Sequence, residues 1–498
     1  MNIKPLTQGR LEHQVVANPM GYIGGSWVAG NSGSFFEVVN PASGNFIAQV
    51  PRMDLSQVRE AVTEADRALG PWKTLTPNAR GEFMHRWAQF ISRDCESLAE
   101  LLVLEQGKPI SEARNEITYA ASFLTWYAEE GRRAYGEIIP GDKQGVRTLV
   151  LREPIGVGAA ITPWNFPAAM ITRKVAPALA AGCTIVIKPS EQTPLSAIAL
   201  CALAHEAGLP AGVINLVLGD RDDAAAIGLE LTSNEIVRKI SFTGSTHVGR
   251  QLMAQSAATV KSVALELGGN APFIVFDDAD LDAALDGLMI CKYRNAGQTC
   301  VSANRILVAS SIHDEFVEKL TQRVSALKMG NGMDPSTQIG PLIDRKAVLK
   351  TEAHVTDAVK KGAIISTGGA RGSLGGNFYA PTVITNVAES SLAFQEETFG
   401  PVAFIRSFSE EAEAIAIANN TPYGLASYFY STSSDRVWRV GERLESGMVG
   451  VNEVDLSTPT APFGGVKQSG LGREGSRHGL DDWLETKYIR QRVAVSSG

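Results

Sequence analysis

Between residues 155 and 270, short apolar runs alternate with longer stretches of helical periodicity. We interpret the apolar runs as strands at residues 155–162, 184–188, 213–218, 239–242 and 262–267. The intervening segments predict helices at residues 168–181, 194–207, 222–231 and 246–258. Strands that are apolar at almost every position are typical of a parallel sheet with helices on both faces. The pattern therefore predicts an α/β fold whose central part is a Rossmann-like, cofactor-binding sheet.

The segments on either side follow other patterns. The first 140 residues are predicted to be mostly helical, because apolar residues recur at helical spacing before a stop signal at residues 107–109. A second α/β region is predicted from about Gly269, with candidate strands at residues 272–276, 305–309, 402–407 and 448–452. Residues 147–152 and 487–495 alternate between apolar and polar side chains. We expect them to pair as a small β arm with an edge open to a second subunit, or to leave a solvated tail.

The composition narrows the class of protein. The 498 residues include 46 basic and 53 acidic side chains, giving a net charge of −7, and 44% are hydrophobic. This balance is typical of a globular protein and argues against sequence-independent nucleic-acid binding, which needs a basic surface. Neither residues 1–14 nor the apolar stretch at 175–187 resembles a signal peptide or a membrane span. The five cysteines form no C-x-x-C pair, so we expect a cytoplasmic chain with reduced thiols, no membrane partner and no metal.

Polar residues and glycines gather at the carboxyl ends of the five predicted strands. In an open parallel sheet, ligands bind at this edge. In chain order, these residues are Thr162, Trp164, Asn165, Lys188, Ser190, Glu191, Gly219, Phe242, Gly244, Ser245, Glu266 and Leu267. Five such ends on one rim predict a nucleotide crevice.

The same rim indicates which nucleotide is bound. The turn at 244–245 opens a helix whose free N–H groups and dipole favour a pyrophosphate. We expect Lys188 to reach ribose hydroxyls and Glu191 to accept a hydrogen bond from the adenosine ribose. The charge of Glu191 would repel a 2′-phosphate, so NAD is favoured over NADP; a salt bridge between Lys188 and Glu191 is the alternative interpretation. The G-x-G-x-x-G fingerprint at 470–475 follows no apolar strand, so we do not assign it to the cofactor.

Three residues carry the candidate chemistry. Cys300 lies in a loop of small and polar residues, and a thiolate is a good nucleophile near neutral pH. Glu266 interrupts an apolar strand, where burial raises the pKa of a carboxyl group toward the range of a general base unless it forms a structural ion pair. Asn165 follows a strand end, where its amide suits an oxyanion hole or a helix cap.

Together these groups predict one mechanism of aldehyde oxidation. The Cys300 thiolate adds to the carbonyl carbon, and Asn165 and the Cys300 backbone N–H hold the oxyanion. Hydride passes to the nicotinamide and leaves a thioester, which water activated by Glu266 hydrolyses to the acid. No histidine is paired with Cys300 in sequence, and the seven histidines form no metal-spaced cluster, which disfavours Cys–His hydrolysis and metal catalysis.

Seven short motifs resemble those of the NAD(P)-dependent aldehyde dehydrogenases and occur in that family's order across nearly the whole chain. They are PWNFP at 163–167, KPSE at 188–191, FTGS at 242–245, ELGG at 266–269, GQTC at 297–300, ETFGP at 397–401 and PFGG at 462–465. The resemblance implies that Cys300 is the nucleophile, Glu266 the base and Asn165 the oxyanion donor. It also implies that Glu397 holds the nicotinamide ribose and that Val248 and Phe399 belong to the cofactor site.

The family architecture implies a division of the chain into three parts. A cofactor-binding domain would comprise residues 1–134 and 154–267, and a catalytic domain residues 268–484. An oligomerisation arm would comprise residues 135–153 and 485–498, which include the two alternating segments. The resemblance further implies a homo-oligomer, a tetramer built as a dimer of dimers.

Within the family, the chain is most similar to succinate-semialdehyde dehydrogenases, at residues 168–174, 271–280 and 292–300. In that subfamily, arginines matching Arg173 and Arg294 grip the distal carboxylate of the substrate, and an arginine fork suits a planar anion. The alternative interpretation is that Arg294 braces the catalytic loop. The expected substrate site is completed by Phe166, by Phe463 and by a hydroxyl group from Ser457 or Thr458.

Two departures from the subfamily pattern bear on regulation and substrate. Ser302 stands where some relatives have a second, redox-active cysteine, so that switch is expected to be absent. The loop at 452–462 differs, with Asp455 and Pro459 in its wall, and an aldehyde such as sulfolactaldehyde or glutarate semialdehyde would fit the same arginines. Two further function classes are an acylating dehydrogenase, which would not need Glu266 to activate water, and a non-enzymatic structural protein, which would not need the catalytic residues.

Overall fold

The computed structural model describes residues 11–493, and its amino-terminal part contains short strands before the first long helix. These elements are α1 (Leu11–Ala17), β1 (Gly21–Ile23), β2 (Ser26–Val28), β3 (Phe35–Val39), β4 (Phe46–Pro51), α2 (Leu55–Thr74), α3 (Pro77–Arg93), α4 (Cys95–Gln106) and α5 (Ile110–Glu130). The prediction of a mostly helical start missed the four strands. One reason is that β1 has only three residues and pairs, through Tyr22, with a distant strand at Leu216.

Helix ends in this part follow local rules. Asp54 and Gln57 form a reciprocal capping box at the start of α2, which satisfies two backbone N–H groups that no helical turn can reach. Gly107 ends α4, as predicted, in the left-handed conformation with φ of 92°. A Cβ at this position would lie 2.7 Å from Pro341 and 2.9 Å from Pro41, so the close packing also requires glycine.

From residue 137 to residue 266, strands and helices alternate. The elements are β5 (Glu137–Ile139), β6 (Val146–Pro154), β7 (Val157–Ile161), α6 (Ala169–Ala181), β8 (Thr184–Lys188), α7 (Pro194–Glu206), β9 (Ile214–Leu216), α8 (Ala224–Ser233), β10 (Val237–Thr243), α9 (Thr246–Ser256) and β11 (Ser262–Glu266). The strands and helices predicted between residues 155 and 270 are confirmed, with ends that differ by at most two residues.

The remaining chain forms the predicted second α/β region. Its elements are β12 (Ala271–Val275), α10 (Leu281–Tyr293), β13 (Ala303–Ala309), α11 (His313–Ser325), α12 (Arg345–Lys360), β14 (Ile364–Thr367), β15 (Thr382–Thr385), α13 (Leu392–Gln395), β16 (Val402–Phe408), α14 (Glu411–Asn419), β17 (Ala426–Tyr430), α15 (Ser434–Arg443), β18 (Met448–Val451), β19 (Gly470–Leu471), α16 (Ser476–Asp481) and β20 (Leu484–Arg492). A single 3-10 turn, Arg294–Gly297, follows α10.

The first large sheet gathers the predicted strand ends at one edge. Its order is β19-β11-β10-β7-β8-β9-β1-β2, and the five central strands are parallel. The register pairs Ile161 with Lys188 and Thr243 with Glu266. Because neighbouring parallel strands end together, these residues meet at one rim.

Two further sheets complete the architecture that concerns function. The second large sheet has the order β14-β15-β16-β13-β12-β17-β18 and is parallel except for β14. The third sheet, β20-β6-β5, is antiparallel and pairs Tyr488 with Val150. The predicted pairing of the two alternating segments is therefore confirmed, while residues 494 and 495 of the predicted tail strand lie outside the described residues.

Two hydrophobic cores lie on either side of the rim. The first comprises buried residues from Leu11 to Leu267, together with Leu480 and Trp483 near the end of the chain. The second comprises buried residues from Ala271 to Phe463. The cores meet in sequence at 268–270, close to the predicted domain boundary, so a site at the rim draws side chains from both.

Candidate active site

A cavity of about 800 Å³ lies at the carboxyl ends of β7, β8, β10 and β11. Every predicted site residue except Gly219 lines it, namely Cys300, Glu266, Asn165, Thr162, Trp164, Lys188, Ser190, Glu191, Phe242, Gly244, Ser245, Val248, Leu267, Glu397, Phe399, Arg173, Arg294, Phe166, Phe463 and Ser457. Gly219 packs instead against α8, where a Cβ would lie 2.5 Å from Ile227. Its assignment to the cofactor stays a prediction.

Three consecutive residues in the left-handed conformation bend the loop that carries Cys300. Asn295, Ala296 and Gly297 have φ angles of 51°, 54° and 74°. A Cβ at Gly297 would lie 2.2 Å from the carbonyl oxygen of Gly400, so glycine is required there for both conformation and space. Non-glycine residues in this conformation are strained, and such strain is concentrated at functional sites.

Burial governs the chemistry of the Cys300 thiol. Its pKa is raised to about 12, mainly by desolvation and then by the Glu397 and Glu266 carboxylates, against an opposing effect of Arg173. The thiol is therefore neutral near pH 7 and needs a base or a bound cation before it attacks a carbonyl group. A Cβ at Gly269 would lie 2.5 Å from the Cys300 carbonyl oxygen, so glycine allows β12 to begin beside the nucleophile.

Glu266 ends β11 with a buried carboxyl group. Its backbone carbonyl accepts a hydrogen bond from the Gly244 N–H at 3.0 Å, and its Oε2 has no hydrogen-bond partner among residues 11–493. Burial, followed by the Glu474 carboxylate, raises its pKa well above the usual value, against the effect of Lys174 and Arg173. Those two cations pair with Glu474 instead. Within residues 11–493, Glu266 therefore does not form the structural ion pair that the sequence left open, and its burial strengthens its affinity for a proton.

Asn165 is held through both its main chain and its side chain. Its Nδ2 donates to the carbonyl oxygen of Gln298 at 3.0 Å, and its own carbonyl accepts from Lys108 Nζ at 2.8 Å and Asn295 Nδ2 at 3.1 Å. An amide has two hydrogens, which leaves one for an oxyanion. Helix α6 begins at Ala169 without a side-chain cap, so the helix-capping interpretation of Asn165 is wrong.

The rim beside α9 suits a dinucleotide. Lys188 Nζ lies 3.8 Å from Glu191 Oε2, so the salt bridge considered from the sequence is present while both residues line the cavity. Thr162 and Thr243 have buried Oγ1 atoms without a partner in the described part of the chain. Ser245 caps α9 through its hydroxyl. Orphaned hydroxyls beside a helix start fit the ribose and phosphate groups of NAD or NADP.

Glu397 and Phe399 border the same cavity from the second core. Glu397 Oε1 accepts a hydrogen bond from the Gly269 N–H at 3.1 Å, and a Cβ at Gly268 would lie 2.9 Å from its other carboxylate oxygen. Burial raises the pKa of Glu397 to about 7. The Phe399 ring meets Trp164 edge to face, with 5.6 Å between centroids. The glycine pair therefore keeps this carboxylate against the backbone near Glu266.

Arg173 presents a buried cation to the cavity. Its guanidinium donates to the Tyr119 hydroxyl and lies 4.1 Å from the centre of the Phe463 ring. Its Nε lies 3.7 Å from Glu474 Oε2, although Glu474 makes its closer contact with Lys174. The Nε of Arg173 has no hydrogen-bond partner among the described residues. Arg173 can therefore still donate a hydrogen bond to an anionic ligand.

Arg294 faces the cavity from the catalytic loop. Its guanidinium lies 5.6 Å from the centre of the Phe166 ring. Asn295 braces this loop instead. Its backbone N–H donates to Glu112 Oε2 at 2.8 Å, and its side-chain Oδ1 accepts from Gln106 Nε2 at 2.9 Å. The geometry therefore favours a ligand-facing arginine over a loop brace. Ser457 lines the same cavity.

The sequence analysis missed Glu474, which lies within the rejected glycine motif at 470–475. Gly470 of that motif pairs with Glu266 in an antiparallel bridge, so its glycines allow close backbone contact with β11. This arrangement agrees with the decision not to assign the motif to a phosphate. The available signal was Lys174, a charged residue within a helix predicted to cover the apolar sheet, because a buried lysine requires an acidic partner.

Three further observations concern the chain as a whole. All five cysteines are free, and Cys300 is the one that lines the cavity. No helix within residues 11–493 combines the length and apolarity needed to cross a membrane. The described residues contain no group of three or more His, Cys, Asp or Glu side chains that could hold a metal ion.

Comparisons with known proteins agree on one family. The model of the Aldehyde dehydrogenase family matches residues 27–489. The chain is 55% identical over 467 residues to the NADP(+) succinate-semialdehyde dehydrogenase GabD of Escherichia coli strain K12, covering 94% of this chain and 96% of that protein. It is 54% identical over 468 residues to a glutarate-semialdehyde dehydrogenase of Pseudomonas aeruginosa and to a 3-sulfolactaldehyde dehydrogenase of Pseudomonas putida, with the same two coverages. A solved NADP-dependent enzyme of E. coli superposes with a TM-score of 0.94 at 54% identity, over 95% of this chain and 98% of that chain.

Proposed function

The chain belongs to the aldehyde dehydrogenase family, and from that premise we propose that it oxidises a small aldehyde with an anionic far end. Succinate semialdehyde, oxidised to succinate with NAD, is the first choice. The observation that carries the proposal is one cavity shared by a thiol, an unpaired buried carboxyl group and two guanidinium groups. These are the parts that thioester-forming oxidation of an anionic aldehyde requires.

The first half of the reaction forms a covalent bond at Cys300. The thiol proton passes to a carboxylate, for which Glu266 is the candidate, and Sγ adds to the aldehyde carbon as the carbonyl electron pair moves to oxygen. The remaining N–H of Asn165 and the Cys300 backbone N–H hold that oxyanion. When bound, the nicotinamide supplies the hydride acceptor that turns this adduct into a thioester.

The second half releases the acid. Glu266 first releases the thiol proton to solvent. In its ionised form it then takes a proton from water as the water oxygen adds to the thioester carbon. The C–S bond then breaks, which frees the carboxylic acid and returns sulfur to Cys300. Burial of Glu266 strengthens its affinity for that proton.

The substrate class follows from the charge and walls of the cavity. Arg173 and Arg294 supply two cationic groups, and Phe166 and Phe463 supply apolar surface between those groups and the thiol. Similar proteins are named for succinate semialdehyde, glutarate semialdehyde and 3-sulfolactaldehyde. All three aldehydes carry an anion at the far end, so glutarate semialdehyde and sulfolactaldehyde are the alternatives.

NAD is the proposed cofactor because of Glu191. A carboxylate at this rim repels a 2′-phosphate, and its pairing with Lys188 leaves it able to accept hydrogen bonds from a ribose. The similar protein GabD is named for NADP(+). The ratio of kcat/KM for NAD to that for NADP is therefore the quantity to measure.

We also propose that the arm joins subunits. Its sheet exposes 78% of Ile138 and 69% of Tyr488, and exposed apolar side chains on an open sheet edge favour pairing with a second copy. A homo-oligomer, a tetramer built as a dimer of dimers, is the proposed assembly. The cytoplasm is the proposed location, where free thiols stay reduced.

A substrate panel tests the proposed function. NADH formation is measured with succinate semialdehyde, glutarate semialdehyde, sulfolactaldehyde and a neutral aldehyde of similar size. We expect kcat/KM for at least one anionic aldehyde to exceed that for the neutral one by about 100-fold, the value of charge-assisted hydrogen bonds to an anion. Cys300→Ala should bind NAD yet form no NADH.

Four results would overturn this proposal. The first is an equal preference for the neutral aldehyde, and the second is turnover retained by Cys300→Ala. The third is a rate that depends on added coenzyme A, which would indicate an acylating enzyme. Absence of NADH with every aldehyde would leave the structural-protein alternative.

A further inference from the structure

Behind Asn165 lies a buried ion pair that the proposed mechanism does not use. Lys108 Nζ donates to Glu116 Oε2, and the two side chains are 0% and 1% exposed. Lys108 lies in the turn between α4 and α5, and Glu116 lies in the second turn of α5. Both therefore belong to the helical layer beside the cavity, and Glu116 reaches the cavity wall.

The pair holds the segment 165–169 at both ends through its main chain. Lys108 Nζ donates to the Asn165 carbonyl oxygen at 2.8 Å. Glu116 Oε1 accepts from the N–H groups of Ala168 at 2.9 Å and Ala169 at 3.3 Å, where α6 begins. One ion pair thus fixes the carbonyl of the oxyanion residue and the start of the helix that follows it.

This contact leaves the Asn165 side chain little freedom. Its Nδ2 already donates one hydrogen to Gln298, and Asn295 Nδ2 supports the same Asn165 carbonyl that Lys108 holds. With the main chain and one amide hydrogen fixed, the direction of the remaining N–H is set. An oxyanion donor is useful only when aimed at the position where negative charge develops.

Stability does not account for the pair. Removing two charges from water costs several kcal/mol per ion, and apolar replacements of such pairs are often neutral or stabilising. Burial lowers the pKa of Lys108, while contact with Glu116 favours its charged form. The cost of burying the two charges is offset by their hydrogen bonds to main-chain groups of the segment 165–169.

We propose that Lys108 and Glu116 are positioning residues that aim the free amide hydrogen of Asn165 at the oxyanion formed on the substrate. This inference rests on the proposed function. It adds to that function a buried ion pair that acts through Asn165 without touching the substrate.

The first experiment compares three variants at saturating NAD. Lys108→Met removes the ammonium at nearly the same volume, and the double variant Lys108→Met with Glu116→Leu removes both charges so that neither is left unpaired. For both we expect kcat to fall about 100-fold, with KM for the aldehyde within about threefold, because a misaimed donor is lost in the transition state. Lys108→Arg should restore kcat to within about tenfold of the wild type by renewing the charged contacts.

The second experiment measures coupling to Asn165. In an Asn165→Ala background, a positioning pair has nothing left to aim, so the double Lys108 and Glu116 replacement should lower kcat by less than about twofold further. A purely structural pair would lower kcat by the same factor in both backgrounds. Lys239→Met is the matched control, because Lys239 is a buried lysine of strand β10 that pairs with Asp482 and not with Asn165.

Two readouts separate the possible failures. Alkylation of Cys300 by iodoacetamide, followed by mass spectrometry, should keep its wild-type rate in the Lys108 and Glu116 variants, since it needs no oxyanion hole. Wild-type kcat in the folded double variant, slowed alkylation, or equal factors in both backgrounds would overturn the positioning role. A wild-type protein that forms no NADH with any aldehyde would instead overturn the proposed function.

Discussion

At the scale of single residues, burial sets the proton affinities of the groups that would react. Desolvation raises the pKa of the Cys300 thiol to about 12 and that of the Glu397 carboxyl group to about 7. It also raises the pKa of Glu266 well above its usual value. A base with a raised pKa holds a proton more strongly, but it is ionised only at higher pH. The proposed hydrolysis step should therefore depend on pH through Glu266.

Replacement of Glu266 tests that dependence. In the wild type, steady-state turnover should rise with pH, because below its raised pKa Glu266 is protonated and cannot accept a proton from water. Glu266→Gln should give a burst of NADH and then stall at the thioester, with steady-state turnover lowered about 1,000-fold, within the range that general base catalysis contributes. Stopped-flow absorbance at several pH values measures both effects. An unchanged steady state would exclude Glu266 as the base.

Single replacements of the two arginines test the anionic end of the substrate. Arg173→Ala and Arg294→Ala should each raise KM for an anionic aldehyde by about 10- to 100-fold, the value of a charge-assisted hydrogen bond. The neutral aldehyde is the internal control, because it makes no such bond. Equal changes in KM for charged and neutral aldehydes would mean that both arginines serve only to hold the cavity together.

The proposed role of the rim carboxylate in cofactor preference is tested in the same way. Glu191→Ser removes the charge that repels a 2′-phosphate and frees Lys188 from its ion pair at 3.8 Å. We expect the ratio of kcat/KM for NADP to that for NAD to rise about tenfold, equal to about 1.4 kcal/mol. Initial rates with both cofactors at one aldehyde concentration measure the ratio, and an unaltered ratio would contradict the role of Glu191.

At the scale of elements, the site depends on where four parallel strands and one bent loop end. Glu266 ends β11 and Lys188 ends β8, so the sheet register alone sets their separation. Cys300 comes from the other core, and its approach depends on a backbone contact rather than on a side chain. Position 269 is that contact, since a Cβ there would lie 2.5 Å from the Cys300 carbonyl oxygen.

A methyl group at this contact should displace the nucleophile. Gly269→Ala is expected to lower kcat about 100-fold, because neither backbone can yield and a shift of about 1 Å costs that much in rate. Gly441→Ala is the matched control, since Gly441 lies in α15 with open space around the added Cβ and should keep full activity. Single-turnover NADH formation measures the effect, and a fully active Gly269→Ala enzyme would refute the contact argument.

At the scale of the whole molecule, the two hydrophobic cores border the cavity, whereas the arm is an exposed sheet. The cores supply opposite walls of the cavity, and the arm extends an antiparallel sheet with exposed Ile138 and Tyr488.

The double variant Ile138→Glu with Tyr488→Glu should reduce the number of subunits in the assembly, because unpaired charges oppose apolar contact between copies. Sedimentation velocity measures the mass, and Met333→Glu, at an exposed position outside the arm, is the control. An unchanged mass would contradict the role of the arm.

Most of the elements, and the residues that would react, could be predicted from the sequence because their signals are local. Apolar runs at strand period and helical spacing depend on neighbours within one element, which explains why strand and helix ends near the rim agree within two residues. Glu266 was singled out because it interrupts an apolar strand, Cys300 because it lies in a loop of small and polar residues, and Asn165 because it follows a strand end. Because the carboxyl ends of parallel strands lie at one edge of a sheet, the parallel order alone predicts that the polar strand ends meet.

Only the tertiary structure decided which distant groups became partners. The contact of Lys108 with the Asn165 carbonyl, and the pairing of Glu474 with Lys174, join segments whose local patterns are silent about each other. The short strand β1 exists because Leu216 offers it an edge, and Gly219 turned to α8 because Ile227 fills the space beside it. Periodicity along a chain records which face of an element is buried, whereas contacts between buried polar groups depend on how whole elements pack, and that information is spread over the entire sequence.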